Sequence, residues 1–289
     1  MKILVTGGTG KVGSAVVGQL LKRGAAVRVL TRKQPAPGLM PASVEIAVGD
    51  LLDPKSVHAA LEGIDKLFLL NGVVADELTQ ALIAFDLAKK VQVKHVTYLS
   101  VFEAQKFSDV PHFASKLAVE TALKQFDVPF TVLRPNYFFQ NDVTLKDALI
   151  GGGVYPMPLG PQGISAVDIR DIGEAAAISL MEEGHRNKIY NLVGPTVLSG
   201  TKAAEIWSGL LGKTIHYTGE ALDPFEEKLR SFLPAWMAFD MRIMFQGYLE
   251  RGFAAGKGDV ESLTALLGHA PRSYEAFAKE TAASWTQAS

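Results

Sequence analysis

The sequence predicts an α/β protein: a doubly wound parallel-sheet Rossmann domain with a smaller, mostly helical C-terminal substrate domain. Three observations carry this prediction. Short β-branched runs alternate with amphipathic stretches through the first half, the pattern of parallel strands joined by crossover helices. A glycine-rich turn, Thr6 to Gly13, follows the first run directly and opens the first amphipathic stretch. After Pro135 the rhythm breaks, with Gly151-Gly152-Gly153 and then Pro156, Pro158, Gly160 and Pro161 marking a loop-rich connection.

Taken in order, the strand candidates are Lys2–Thr6, Ala26–Thr31, Val44–Val48, Lys66–Leu70, His95–Ser100 and Phe130–Leu133. Between them, Val12, Val16, Val17 and Leu20 make one helical apolar face. Leu78, Leu82 and Phe85 make a second, and Val119, Ala122, Leu123 and Phe126 a third. Beyond the break, a helix at Asp171–Glu183 and a strand at Lys188–Val193 return to the sheet. The remainder is mostly helical, with a short strand near Thr214–Tyr217 and a last helix at Tyr274–Trp285 that Ser273 caps. The expected domains are therefore 1–135, rejoined by 164–194, for the sheet, and 136–163 with 195–289 for the substrate.

The 289 residues are 48% hydrophobic and 20% charged, which excludes a disordered chain. Lys plus Arg number 29 and Asp plus Glu 30, a net charge of -1 that offers no field to hold nucleic acid or an anionic membrane. The count of Cys is 0, so disulfides, thiolate nucleophiles and Cys-ligated metals are excluded. Histidines 58, 95, 112, 185, 216 and 269 never fall three to five apart, and no metal site is expected. No apolar run reaches the roughly 18 residues of a membrane span. The N-terminus runs from Met1-Lys2 straight into Ile3-Leu4-Val5 without a signal-peptide pattern, so a cytoplasmic protein, monomer or homodimer, is expected.

Thr6-Gly7-Gly8-Thr9-Gly10-Lys11-Val12-Gly13 is a G-x-x-G-x-x-G turn between a strand and a helix. Such glycines permit a tight turn and close backbone approach, placing a pyrophosphate on the helix N-terminus. A dinucleotide is the expected ligand. At the end of the second strand, where NAD binders usually carry an acid for the ribose 2′-OH, stand Arg32 and Lys33. A guanidinium and an ammonium suit a 2′-phosphate, which favours NADP(H). Gly49-Asp50-Leu51 ends the third strand; Asp50 is either an acceptor for the adenine amino group or a turn cap.

Several stretches together resemble one family. They are the glycine turn, the Gly-Asp after strand three, Tyr98-Leu99-Ser100, Arg134-Pro135-Asn136-Tyr137-Phe138, Val167-Asp168-Ile169-Arg170-Asp171-Ile172, and Leu267 to Tyr274. The combination is similar to the NmrA-like group of atypical short-chain dehydrogenase/reductases. That group includes NADPH-dependent quinone oxidoreductases and triphenylmethane reductase. The resemblance implies NADP(H) binding, with Asn71 and Gly72 lining the nicotinamide side and Pro135 counted among the cofactor residues. The wider superfamily uses a Ser, a Tyr and a Lys four residues after the Tyr. Here the matching stretch is His112-Phe113-Ala114-Ser115-Lys116, which keeps Lys116 and carries His112 where the Tyr would stand.

Positions four apart share a helix face, so both side chains can face the nicotinamide ribose. Three readings of His112 stay open: a general acid, a substrate-pocket residue in an enzyme that needs no protein acid, or a helix-start residue with no role. Lys116 is read as a ribose ligand, with a solvated helix lysine as the alternative. Ser100 is either the superfamily serine or a strand-end hydroxyl bonded to backbone. Of Tyr137, Phe138 and Phe139, some line an apolar substrate pocket and others are core, because three consecutive aromatics cannot share a helix face. Asp168 and Asp171 are read as helix caps, and the other five histidines as surface or satisfied core residues. Trp207, Phe225, Phe232, Trp236, Phe239, Met241 and Met244 are either core or the wall of a flat apolar pocket.

The leading expectation is an NADPH-dependent reductase that transfers hydride to a small aromatic or conjugated acceptor such as a quinone or dye. A non-catalytic NADP(H)-binding redox sensor acting through a protein partner is the alternative. A nucleotide-sugar epimerase or dehydratase comes third, because it needs the missing Tyr.

Overall fold

The computed structural model describes residues 1–287, which fall into two compact units. The first comprises Met1–Gln105, His112–Pro135 and Ile169–Asn191; the second comprises Lys106–Pro111, Asn136–Asp168 and the chain from Leu192 onward. The returning segment thus begins at Ile169, and residues 164–168 stay with the second unit.

The first unit is built as β1 (Lys2–Thr6), α1 (Lys11–Lys22), β2 (Ala26–Thr31), β3 (Glu45–Val48), α2 (Pro54–Leu61), β4 (Lys66–Leu69), α3 (Glu77–Lys90), β5 (His95–Leu99), α4 (Pro111–Leu123) and β6 (Phe130–Pro135). After β7 (Val154–Tyr155), which belongs to the second unit, α5 (Ile169–Met181) and β8 (Lys188–Leu192) return to the sheet. Strand order is β3-β2-β1-β4-β5-β6-β8, and all pairings among the first six strands are parallel. Register is set by pairs such as Ile3↔Val27, Ile3↔Lys66 and Val96↔Phe130. Ile3, Leu4 and Val5 are buried on both faces, as expected of a strand with helices on each side of the sheet.

On one face α1 and α5 lie close, because a Cβ on Gly173 would sit 2.9 Å from the backbone of Ala15. Val12, Val16, Val17 and Leu20 are the buried side of α1, as their spacing predicts. On the other face Leu61, Ala81, Phe85, Ala88, Val96 and Tyr98 form one apolar cluster, with the Phe85 ring edge-on to Tyr98 at 6.3 Å. Here the expected face of α3 needs correction. Its buried residues are Glu77, Ala81, Ala84, Phe85, Leu87 and Ala88, while Leu78 and Leu82 are only half-buried. Leu78 still packs against the apolar cluster from its edge.

The second unit contains the two-stranded parallel ribbon of β7 and β9 (His216–Tyr217), with helices α6 (Gly200–Leu211), α7 (Leu222–Arg230), α8 (Ala235–Arg251), α9 (Asp259–Leu267) and α10 (Tyr274–Gln287). Its core is aromatic: Trp207 stacks on Trp285 at 5.1 Å, and Phe107 meets Phe253 edge-on at 5.1 Å. Asn136 donates through Nδ2 to the Phe253 carbonyl at 2.8 Å, and the Ser273 hydroxyl accepts from the Ala276 N–H as the expected cap of α10. Of the large apolar side chains in this region, Trp207 and Met244 are core, whereas Phe232, Trp236 and Phe239 are exposed.

Candidate cofactor site

Strand order reverses at the boundary between β1 and β4, and ligands of open parallel sheets bind beyond the carboxyl ends of strands at such a point. Thr6 holds the two strand ends together. Its Oγ1 donates to the Leu70 carbonyl at 2.9 Å and accepts from the Leu70 N–H at 2.8 Å. The Thr6 hydroxyl therefore supports the loop that follows.

That loop has room for a ligand because its glycines have none for side chains. Gly7 takes φ 65°, and a Cβ there would lie 2.5 Å from Leu70 Cδ2. A Cβ on Gly13 would lie 2.1 Å from the Gly7 carbonyl oxygen. Gly10, the N-cap of α1, offers no side-chain cap, so the first-turn N–H groups of Lys11, Val12 and Gly13 keep no side-chain acceptor from it. Thr9, Gly10 and Lys11 are exposed at the loop tip, whereas Gly8 and Val12 are buried beneath it. Such an arrangement, glycine backbone at a helix N-terminus, suits an anion.

Arg32 and Lys33 leave β2 with exposed side chains, and neither forms an ion pair among the described residues. Thr31 curls the exit by donating through Oγ1 to the Lys33 carbonyl at 3.1 Å. Asp50 is a turn former: one carboxylate oxygen accepts from the Leu52 N–H at 2.9 Å. Leu51 is half-buried against the apolar cluster of the first unit. Asn71, just past β4, donates through Nδ2 to Gln80 at 3.1 Å, while its Oδ1 is buried without a hydrogen-bond partner. Gly72 beside it is open, with only Val74 within 4 Å of where a Cβ would sit.

The most unusual chemistry lies along α4. His112, Phe113, Lys116, Val119, Glu120 and Leu123 form its buried side, so His112 and Lys116 share a face as their spacing predicts. The His112 ring stands edge-on to Phe113 at 4.6 Å. Lys116 Nζ meets Glu77 Oε1 at 2.6 Å and lies 5.9 Å from the centre of the Tyr98 ring. The Glu77 side chain is 0% exposed, and its Oε2 has no partner. Tyr98 donates to the same Oε1 at 3.3 Å, and burial together with the Glu77 charge pushes its phenol well above the ordinary range.

One turn along, Glu120 receives the Ser100 hydroxyl at 2.5 Å and both arms of the Arg134 guanidinium. Ser100 is thus engaged with a carboxylate side chain, rather than with the backbone that was the alternative for it. Pro135 is buried at the end of β6, where its carbonyl accepts from the Phe102 N–H at 2.9 Å. Neither Glu77 nor Glu120 emerges from sequence reasoning. For Glu77 the available signal is its position on a face otherwise made of small or apolar residues; for Glu120 it is the place one turn beyond Lys116 on the buried side of α4.

In the second unit Phe139 is core against Tyr274 and Phe277. Tyr137 packs on Phe245 at 6.2 Å with its hydroxyl buried and unpartnered, and Phe138 is half-buried. Asp168 accepts from Gln140 at 2.9 Å and immediately precedes α5, while Asp171 lies buried in the first turn of that helix. His95 is a satisfied core residue: it bonds Thr131 at 2.9 Å, and burial holds its imidazole down to about 4. Among the described residues there is no group of three or more His, Asp or Glu able to hold a metal, and no helix long and apolar enough to cross a membrane.

The sequence model of the NmrA-like family matches residues 1–266. This chain belongs to the NmrA-like family. Among curated relatives it is 29% identical over 285 residues to the NAD(P)H azoreductase of Xenophilus azovorans, covering 98% of this chain and 99% of that protein. Among solved structures it is similar to the NADPH-dependent quinone oxidoreductase of Escherichia coli in complex with NADPH. That similarity has a TM-score of 0.86 at 25% identity, over 98% of this chain and 99% of that one. The Citrobacter triphenylmethane reductase complexed with NADP(H) gives a TM-score of 0.85 at 26% identity, over 97% and 99% of the two chains.

The NmrA-like chain's own residues suit a dinucleotide phosphate. The glycine turn, an α1 N-terminus without a side-chain cap, two exposed cations after β2 and the orphaned Asn71 Oδ1 are compatible with such a ligand.

Proposed function

We propose that this protein is an NADPH-dependent reductase that delivers hydride to a small aromatic or conjugated acceptor such as a quinone or a dye. The observation that carries the reading is a glycine turn with no room for side chains at the α1 N-terminus, together with a buried face of α4 that keeps Lys116 but has His112 in place of a phenol. The names of the relatives, an azoreductase, a quinone oxidoreductase and a triphenylmethane reductase, support the same class of acceptor.

In this reading Gly7 to Gly13 and the first turn of α1 receive the pyrophosphate, and Arg32 with Lys33 receives the 2′-phosphate. Asn71, Gly72 and Lys116 hold the nicotinamide end. NADPH, when bound, supplies the hydride. The protein's part is to fix that end and exclude water, so positioning carries most of the rate. A quinone or cationic dye takes any proton it needs from solvent after reduction, which accounts for a site without the tyrosine. His112 then borders the acceptor.

The test is to follow the loss of reduced-nicotinamide absorbance with a panel of quinones, azo dyes and cationic dyes, each with a no-protein control. Saturable oxidation with at least one class, and a lower KM for NADPH than for NADH, is the expected result. Tight NADPH binding with no oxidation across the panel overturns the reductase and leaves a cofactor-sensing regulator.

A further inference from the structure

Glu77 has the features of a group held for its charge. It opens α3 on that helix's buried side, is wholly inaccessible, and contacts one cation. A buried carboxylate is costly, and only one of its oxygens is satisfied here: Oε1 receives Lys116 and Tyr98, while Oε2 has no partner. Lys116, whose side chain is 10% exposed, keeps two further N–H donors on the same ammonium. Packing does not require this pair, since neutral side chains of similar size fill such a space at lower cost.

The two forms of a nicotinamide cofactor differ in charge at the ring, which is positive when oxidised and neutral when reduced. A lone ammonium beside the ring therefore disfavours the oxidised form, and a carboxylate behind that ammonium offsets it. We propose that Glu77 is a positioning residue that both aims Lys116 and cancels its charge, thereby setting the balance of affinity between NADP⁺ and NADPH. This rests on the placement of Lys116 at the nicotinamide end in the preceding reading. Glu77 acts through Lys116, because its own oxygens lie out of a ligand's reach.

The experiment measures equilibrium dissociation constants of the full chain for NADPH, by fluorescence, and for NADP⁺, by calorimetry, at one ionic strength. Glu77→Gln should weaken NADP⁺ relative to NADPH by about tenfold, the scale of one unit charge acting at pocket distance in a partly shielded medium. Lys116→Met should shift the ratio the other way, whatever it does to both affinities together. The double variant carries a neutral pair and should return the ratio to within about threefold of wild type. A purely structural role lowers both affinities equally and leaves the ratio in place, which overturns the proposal. So does a shift of the same sign in both single variants. If Glu77→Gln does not fold, as circular dichroism will tell, Lys116→Met and the double variant still decide. Failure of wild type to bind either nucleotide shows before any variant is made, and removes the cofactor reading itself.

Discussion

Two buried carboxylates of the first unit and one of the second are held on different terms. In the first, Glu77 and Glu120 are almost wholly inaccessible, and each is matched to a cation, Lys116 or Arg134. In the second, Asp142 is equally buried and receives the hydroxyls of Tyr155 and Tyr274, with Trp207 also donating to Tyr274 at 2.8 Å. Burial outweighs those hydrogen bonds and raises the Asp142 carboxyl to about 6. An ion pair keeps charge available in a dry place, as a site facing a charged ligand needs. A hydroxyl cage holds a carboxyl that is free to become neutral, which suits a core that only has to pack.

Four sets of measurements test that contrast and the elements around it. The largest effect is expected from Gly13→Val, whose Cβ would lie 2.1 Å from the Gly7 carbonyl. NADPH affinity should fall by about a hundredfold or more, and the first unit should lose several kcal/mol, roughly the range of severe backbone clashes. Wild-type affinity in an NADPH titration would remove the cradle from the account. Next, Glu120→Ala leaves Arg134 without its carboxylate and should cost about 3–5 kcal/mol in a urea titration, with Glu120→Gln costing less.

Asp142→Asn probes the other unit through pH. The folded carboxyl titrates near 6 and the unfolded one near 3.8, so its contribution to stability is fully present below the unfolded value. That contribution is lost as pH rises through the folded value. Measured relative to the variant, the wild type should lose roughly 3 kcal/mol across this window. A stability difference, wild type minus variant, that rises over the same interval would contradict the buried, uncompensated carboxyl.

The smallest effects separate contact from scaffold. Lys116→Ala should weaken NADPH binding by about tenfold, the worth of one charge-assisted hydrogen bond, while His112→Phe should keep turnover within about threefold. Loss of all turnover in the histidine variant would restore a general acid. Asp53→Ala removes the side-chain acceptor for the Lys55 and Ser56 N–H groups at the start of α2. It should cost about 1 kcal/mol in a thermal melt and leave NADPH affinity unchanged.

Much of the fold was legible because its cues are local. β1 and β2 have their predicted bounds, and the other sheet strands fall within two residues of theirs, since β-branched runs and their flanking breakers stand side by side in the chain. The α1 face could be read for the same reason. The α3 face was legible only in part: Phe85 is buried as expected, but the alanines 81, 84 and 88 share its buried side while Leu78 and Leu82 are half-buried. At the site, the glycine turn was visible through its spacing, and Arg32 with Lys33 through their place after β2. Glu77 was not, because a Glu at the start of a helix usually faces solvent beside the helix dipole.

The parallel α/β order, the glycine turn, the charge after β2 and the histidine in place of a tyrosine were all readable along the chain, because each rests on local residue patterns. Only the tertiary structure decided what each polar group answers to. Lys116 meets Glu77 39 residues away, Ser100 meets Glu120, and Tyr274 reaches Asp142 across 132 positions. The physical reason is that a buried charge must find a partner wherever the chain folds back, and sequence distance puts no bound on where that partner lies.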